Sequence, residues 1–359
     1  MKYFFIFLIY LGVFLMSIIK FYSILVLFVT LIRHRLHAVT INEVAYIGLW
    51  LILFYVNLIL GREFNFNDGA GLYSKVVILG VVFFWLLIIH LSELKVFKNI
   101  ILAYMLSINA YTFYLTFYTF FNDPLLFANR KFISPFVEGI VATPAYGNSS
   151  SLLMVAAICF LEKKYQYIAF YSTLSLSLLL QNRTMMIITL FSYLFIFNNI
   201  RSRLYSFFVF IMIIIAASKF MSVEMVDSTL EVLLRRLENE GFSSERWDLA
   251  LVAINDIFSV GHPYGGLDPS ANSNYSYYFH NAIFDSYKNY GYLGLLFSSL
   301  IVLILLYQLI KLKFNKYYLL IFVSGVSVYL TSVVFEGAVF EVLVLQLVLS
   351  ILFRKSILR

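Results

Sequence analysis

Three basic side chains stand where an otherwise apolar sequence turns polar: Arg183 in "QNRTMMIITL", Arg246 in "SSERWDLAL" and His280 in "YYFHNAIF". Two guanidinium groups and one imidazole can hold an anion and move a proton. The planar fork of arginine matches two phosphate oxygens at once. Histidine titrates near neutrality, which suits general acid–base work. Each position also has a blander use. Arg246 falls in the first turn of a helix read from Ser243, where cations are unfavourable, yet it can simply be a solvated side chain paired to Glu245 or Asp248. Arg183, between two apolar runs, can be an arginine that snorkels to an interface. His280 and Asn281 can serve backbone groups at the start of a helix. No carboxylate lies three or four residues from His280, so a partner that orients its ring must come from elsewhere; Glu336 and Glu341 are candidates by sidedness alone.

The elements that must position these residues are membrane spans. The chain has 359 residues, 62% hydrophobic and 13% charged, with mean hydropathy +0.89. No water-soluble domain of this size hides so much apolar surface. The expected fold is an all-α polytopic membrane protein of about 11–12 transmembrane helices, a single transmembrane domain over 1–359. Apolar runs fall near 44–60, 76–92, 99–121, 149–161, 165–181, 184–199, 204–221, 291–310, 317–334 and 338–353, with one or two more spans in 3–32. The beginning, MKYFFIFLIYLGVFL, lacks a small-residue cleavage site and predicts a retained first span. The lone cysteine, Cys159, lies in an apolar run and excludes an intramolecular disulfide.

Basic residues assign the sides. Arg33 and Arg35, Lys95 and Lys98, Lys163 and Lys164, Arg201 and Arg203, Lys311, Lys313 and Lys316, then Arg354, Lys355 and Arg359 occupy every second connection. Strict alternation puts them on one face, which the positive-inside rule makes cytoplasmic. The net charge of +7 is then a lipid-facing asymmetry, with no nucleic acid implied. The opposite face receives loop 61–75, loop 122–148 with Arg130, the turn at Arg183, segment 222–290 and the turn near Glu336.

Segment 222–290 is the largest outer loop. Ser228 and Glu231 have capping-box spacing, and Leu230, Leu233, Leu234 and Leu237 follow helical periodicity up to Gly241. A second helix from Ser243 carries Trp247, Leu251, Ile254 and Phe258 on one face, and "GHPYGGLDPS" then breaks the chain into turns. Both helices suit a layer lying on the membrane interface. Tyr275, Tyr277 and Tyr278 can line a sugar path, although an interfacial aromatic belt is the simpler reading. The outer loops hold no DxD, no HExxH and no His/Asp/Glu group at ligand spacing, so neither metal nor cofactor is expected.

The order of these features resembles the O-antigen ligase and O-antigen polymerase (Wzy) superfamily, part of the wider GT-C-related membrane transferases. An "NR-T" turn leads into a span, a long outer loop carries "SERWDLAL" and then "PYGG", and "HNAIFDSYKNYGYLGLL" opens a span. The resemblance covers about 180–300. Upstream, "EGIVATPAYGNSSSLL" looks like the family's Gly-then-Pro-Asn stretch, but has Tyr146-Gly147-Asn148 where Pro-Asn is usual and lacks the arginine usual before that glycine. The resemblance implies transfer of a glycan from a polyprenyl-pyrophosphate carrier on the outer side of a bacterial cytoplasmic membrane. It maps pyrophosphate binding onto Arg183 and Arg246 and the catalytic histidine onto His280. Asn281, Tyr277, Tyr278, Arg130 and Glu336 form the expected substrate-binding set, chosen by proximity or sidedness. The expected activity is that of an inverting, metal-independent polysaccharide polymerase acting with lipid-linked oligosaccharide, membrane lipids, a flippase and a chain-length regulator as partners. An O-antigen ligase that uses lipid A-core as acceptor fits the same residues. A metal-dependent transferase using Glu63 and Asp68 in "GREFNFNDGAG", and a lipid-linked oligosaccharide flippase, are the other readings.

Overall fold

The computed structural model describes residues 94–128, 132–134, 137–141, 143–180, 182–197, 204–206, 208, 211–212, 245–269, 279, 281–331, 349–350 and 353. These residues are mostly helical. Among them one helix, Ala282–Lys311, is long and apolar enough to cross a membrane, and the shorter helices Gly147–Phe160, Thr184–Ile196 and Lys316–Thr331 are apolar too. The expected spans before residue 94 and the expected helix over 228–237 lie outside the described residues. The chain divides into two compact units, 108–244 and the combination of 1–107 with 245–359.

The first unit takes the greater part of α1 (Leu94–Asn122), then α2 (Pro124–Ala128), a hairpin of β1 (Phe132–Ser134) and β2 (Val137–Val141), and the helices α3 (Thr143–Phe160), α4 (Lys163–Leu179) and α5 (Arg183–Ile196). The antiparallel hairpin, with Ile133 opposite Ile140, departs from an all-helical expectation. It fits its sequence, because Phe132, Ile133, Val137, Ile140 and Val141 are β-branched or aromatic. The helix expected to begin near residue 149 starts at Thr143, with Pro144 tolerated in its first turn. The helices α3, α4 and α5 pack against one another, and a polar seam ties α1 to two of them. Ser150 donates to Asn109 Oδ1 (2.6 Å), Asn109 Nδ2 donates to Ser172 (2.7 Å), and Ser150 and Thr173 share a 3.2 Å bond. Buried amides and hydroxyls need such partners, and here they find them in each other.

The second unit contains α6 (Glu245–Ser259), α7 (Ala282–Lys311) and α8 (Lys316–Thr331). α6 packs on the start of α7 through Leu249, Ala253, Leu267, Phe279 and Tyr287. Of the face expected to be apolar, Trp247, Leu251 and Phe258 are exposed and Ile254 is half-buried. α6 is thus apolar on two sides, and the side that meets α7 carries Leu249, Val252, Ala253 and Ile257. α7 bends at Gly291, whose φ of 62° and ψ of −143° lie outside the helical region. Beyond that bend, Gly294, Ser298, Ile301, Leu305 and Leu309 are buried, while Tyr292, Leu296, Leu303, Leu306, Tyr307 and Ile310 form an exposed stripe on the opposite side. The stripe covers about 27 Å at the helical rise of 1.5 Å per residue. Lys311 lies 5.8 Å from the Tyr307 ring at its lower end. Left-handed Lys313 and Phe314 then reverse the chain into α8, where Asn315 Oδ1 accepts from the Tyr317 N–H at 3.0 Å.

Candidate functional site

Arg183 and Arg246 both occupy the first turn of a helix, and position 280 immediately precedes the residue that caps a third. Arg183 is the first residue of α5; Asn182 caps it, its side-chain oxygen accepting from the Met185 N–H at 3.2 Å. The corner is tightly closed. Gly147 of α3 lies so near it that an added Cβ would stand 2.9 Å from Asn182 Nδ2. The segment "TPAYGN" therefore meets "QNRT" in space, although about thirty-five residues separate them in sequence. Phe132 of the hairpin fills the same corner with Phe127, Leu176, Leu180 and Met185, and Thr119 Oγ1 accepts from the Ile133 N–H at 3.0 Å. The arginine-bearing turn is thereby fixed on several sides.

Arg246 is the second residue of α6, as the helix read from Ser243 requires, with the start displaced to Glu245. Backbone N–H groups at such a position lack intrahelical acceptors and attract anions. The side chains of Arg183 and Arg246 lie outside the described residues, as do His280, Tyr275, Tyr277, Tyr278, Arg130, Glu336 and Glu341.

Asn281 is the N-cap of α7. Its Oδ1 accepts from the N–H groups of Ile283 (3.0 Å) and Phe284 (3.4 Å). That oxygen is committed to the backbone, which leaves its amide nitrogen for any ligand. The residue missed in sequence is Asp285. It stands five positions after His280, beyond the three-or-four window, yet its buried carboxylate folds back over the helix start. Oδ1 accepts from the Phe279 N–H (2.8 Å) and Oδ2 from the Asn281 N–H (3.2 Å). The N–H groups of the residues before and after His280 are thus held by one carboxylate. A negative charge in the first turn also suits the helix dipole.

A second constellation lies where α6 ends. Asp256 Oδ1 is 2.8 Å from His262 Nδ1, and Oδ2 accepts from the His262 N–H (3.1 Å) and from the Tyr287 hydroxyl (2.8 Å). The aspartate side chain is 14% exposed and the histidine 42%. The turn between them is strained, with Val260 at φ 56°; a β-branched residue rarely adopts that region. Gly265 and Gly291 allow close backbone approach: an added Cβ would strike the Asn289 carbonyl at the first and the Pro263 carbonyl at the second. Backbone bonds close the contact, Gly266 N–H to Lys288 O (2.7 Å) and Tyr292 N–H to Pro263 O (3.0 Å), and the Tyr292 hydroxyl donates to Ile257 O (2.6 Å). The sequence reading saw only turns in "GHPYGGLDPS". The available signal was an aspartate in the last turn of a helix six residues ahead of a histidine that precedes proline.

The turn and the exposed stripe of α7 meet. Tyr292, where the stripe begins, bonds to both Ile257 and Pro263. Beside those atoms Phe258 is 84% exposed and Tyr264 89%. The apolar surface therefore continues from α7 onto the end of α6.

No family model and no curated protein matches the chain. Among the described residues no group of three His, Cys, Asp or Glu is disposed to hold a metal ion. The chemistry the described site can offer is electrostatic and acid–base: helix starts that carry arginines, and a histidine braced by a carboxylate.

Proposed function

We propose that the chain is a multi-pass transferase of the bacterial cytoplasmic membrane that polymerises surface glycan. It joins oligosaccharide repeat units carried on polyprenyl pyrophosphate, on the outer face, without a metal. The observation that carries this reading is the placement of Arg183 and Arg246 in first helical turns, with position 280 directly before the cap of α7. A departing pyrophosphate needs positive charge where its own negative charge grows. Arginines at the positive ends of helix dipoles offer it. Each such donor is typically worth roughly 3–4 kcal/mol of barrier. Outside the membrane nucleotide sugars are scarce, so a pre-activated lipid-linked donor is the fitting substrate class. In this scheme Arg183 and Arg246 hold the pyrophosphate, and His280 accepts or orients the proton of the attacking hydroxyl. One displacement at the anomeric carbon inverts its configuration.

The membrane setting draws support from α7. Its exposed stripe of about 27 Å approaches the thickness of a bilayer's hydrocarbon core. Tyrosine stands at one end and tyrosine with lysine at the other, as interfacial anchors do. The basic residues Lys311, Lys313 and Lys316 then mark the cytoplasmic end.

The test is reconstitution of the full-length protein in lipid vesicles with purified polyprenyl-pyrophosphate-linked repeat units. Polymer formation that persists in excess chelator is expected. Loss of activity in chelator would favour the metal-dependent reading through Glu63 and Asp68. Products that form only when lipid A-core is added would indicate a ligase, and transbilayer movement of the substrate without any new glycosidic bond would indicate a flippase.

A further inference from the structure

We propose that His262, oriented by Asp256, is the base that takes the proton from the attacking sugar hydroxyl; this rests on the transfer reading above and leaves His280 an orienting role. Asp256 accepts from three donors, two of them on the residue it orients. An ionised carboxylate only accepts, so Nδ1 carries the hydrogen and Nε2 keeps its lone pair. No described residue takes Nε2. The ring is partly open to its surroundings while its carboxylate is mostly enclosed. A buried carboxylate that fixes the tautomer of an accessible imidazole, and stabilises the cation formed on it, is how proteins build a general base.

Height in the membrane points the same way. Tyr292 ties Pro263 and Ile257 to the residue at which the apolar stripe of α7 begins. The 260–266 turn therefore stands at the edge of the apolar zone. There a polyprenyl carrier passes from hydrocarbon tail to pyrophosphate and sugar.

The step balances within the chain and its substrates. The acceptor oxygen forms a bond to the anomeric carbon, and the bond from that carbon to the pyrophosphate oxygen breaks. Its electron pair leaves with the polyprenyl pyrophosphate, the hydroxyl proton moves to Nε2 of His262, and the imidazolium later releases it to water.

A purely structural pin is the competing account of the same hydrogen bonds, and His262→Asn separates the two. The asparagine amide can donate to Asp256 from nearly the position of Nδ1, but it has no base. The full-length protein in vesicles, given lipid-linked repeat units, is compared as wild type, His262→Ala, His262→Asn and Asp256→Asn, with thermal unfolding followed in parallel. Both His262 variants should lose about 100-fold or more in kcat, His262→Asn should melt with the wild type, and added imidazole should restore part of the activity of His262→Ala. Asp256→Asn should lower kcat about tenfold or more with KM unchanged, as expected when an interaction made only in the transition state weakens. His262→Asn acting within about twofold of wild type would overturn the proposal, and so would failure of both His262 variants to fold, which would mark a structural pin. Wild-type protein that elongates nothing overturns the transfer reading and the base together; wild type that elongates alongside an active His262→Asn removes only the base.

Discussion

The two units handle buried polarity in opposite ways. In the unit built on α3, α4 and α5, Asn109, Ser150, Ser172 and Thr173 bond to one another and to backbone carbonyls. That seam is closed on itself and buried or half-buried along its length. At the junction of α6 and α7, Asp256 and Asp285 instead bond to backbone N–H groups, a phenol and an imidazole, and no described residue bonds to the second nitrogen of that imidazole. A closed seam aligns helices. The cluster at Asp256 is built on glycine contacts and a left-handed turn, and leaves the His262 ring half-exposed.

Substitutions on either side can sharpen that contrast. The largest effect should come from Gly291→Ala. Its φ is left-handed and an added methyl would strike the Pro263 carbonyl. A loss of at least about 3 kcal/mol is expected, read as opening of the α6–α7 contact to protease and a lower Tm. Next is Asp285→Ala, which leaves the N–H groups of Phe279 and Asn281 without their acceptor. It should cost about 2–3 kcal/mol, typical of hydrogen bonds to a charged group, and should reduce polymerisation more than the change in Tm alone explains. Asn109→Ala should cost roughly 1–2 kcal/mol but leave the activity of the folded protein unchanged, since the closed seam only aligns helices. Smallest of all, Phe258→Ser should change stability in detergent by no more than about 0.5 kcal/mol. Its ring is exposed, and the effect should emerge instead as weaker contact of that turn with lipid, measured by spin-labelled acyl chains quenching a tryptophan placed at position 264. An active-site role for Asn109, or a large stability loss at Phe258, would break the comparison.

Much of the local structure could be read in the residue order. α4, α5, α6 and α8 start or end within a few residues of the expected bounds because Lys163, Asn182, the Ser243–Glu245 stretch and Lys316 mark them by charge and capping. Of the basic residues expected in connections, Lys313 falls between α7 and α8, whereas Lys163, Lys164, Lys311 and Lys316 lie in the terminal turns of α4, α7 and α8. The packing was less legible. Periodicity showed that α6 has an apolar stripe, but could not show that Leu249 and Ala253, and not Trp247 and Phe258, would meet α7. Both sides of α6 are apolar, so hydropathy alone does not choose between them. The hairpin 132–141 was lost inside a loop because its strands are short. Asp285 and Asp256 were overlooked because their roles depend on chain reversal, at a helix cap and at a strained turn, which a search at helical spacing does not follow. Arg183, Arg246 and His280 are candidates by residue type and order alone.

The central claim is that Arg183, Arg246 and His280 serve one glycosyl transfer on the outer face. Its most direct test is the length of surface glycan in a deletion strain complemented with Arg183→Ala, Arg246→Ala or His280→Ala, each with membrane abundance confirmed by immunoblot. The expected result is glycan of a single repeat unit from all three, against long chains from the wild type. Wild-type chain lengths from any of them would contradict the claim.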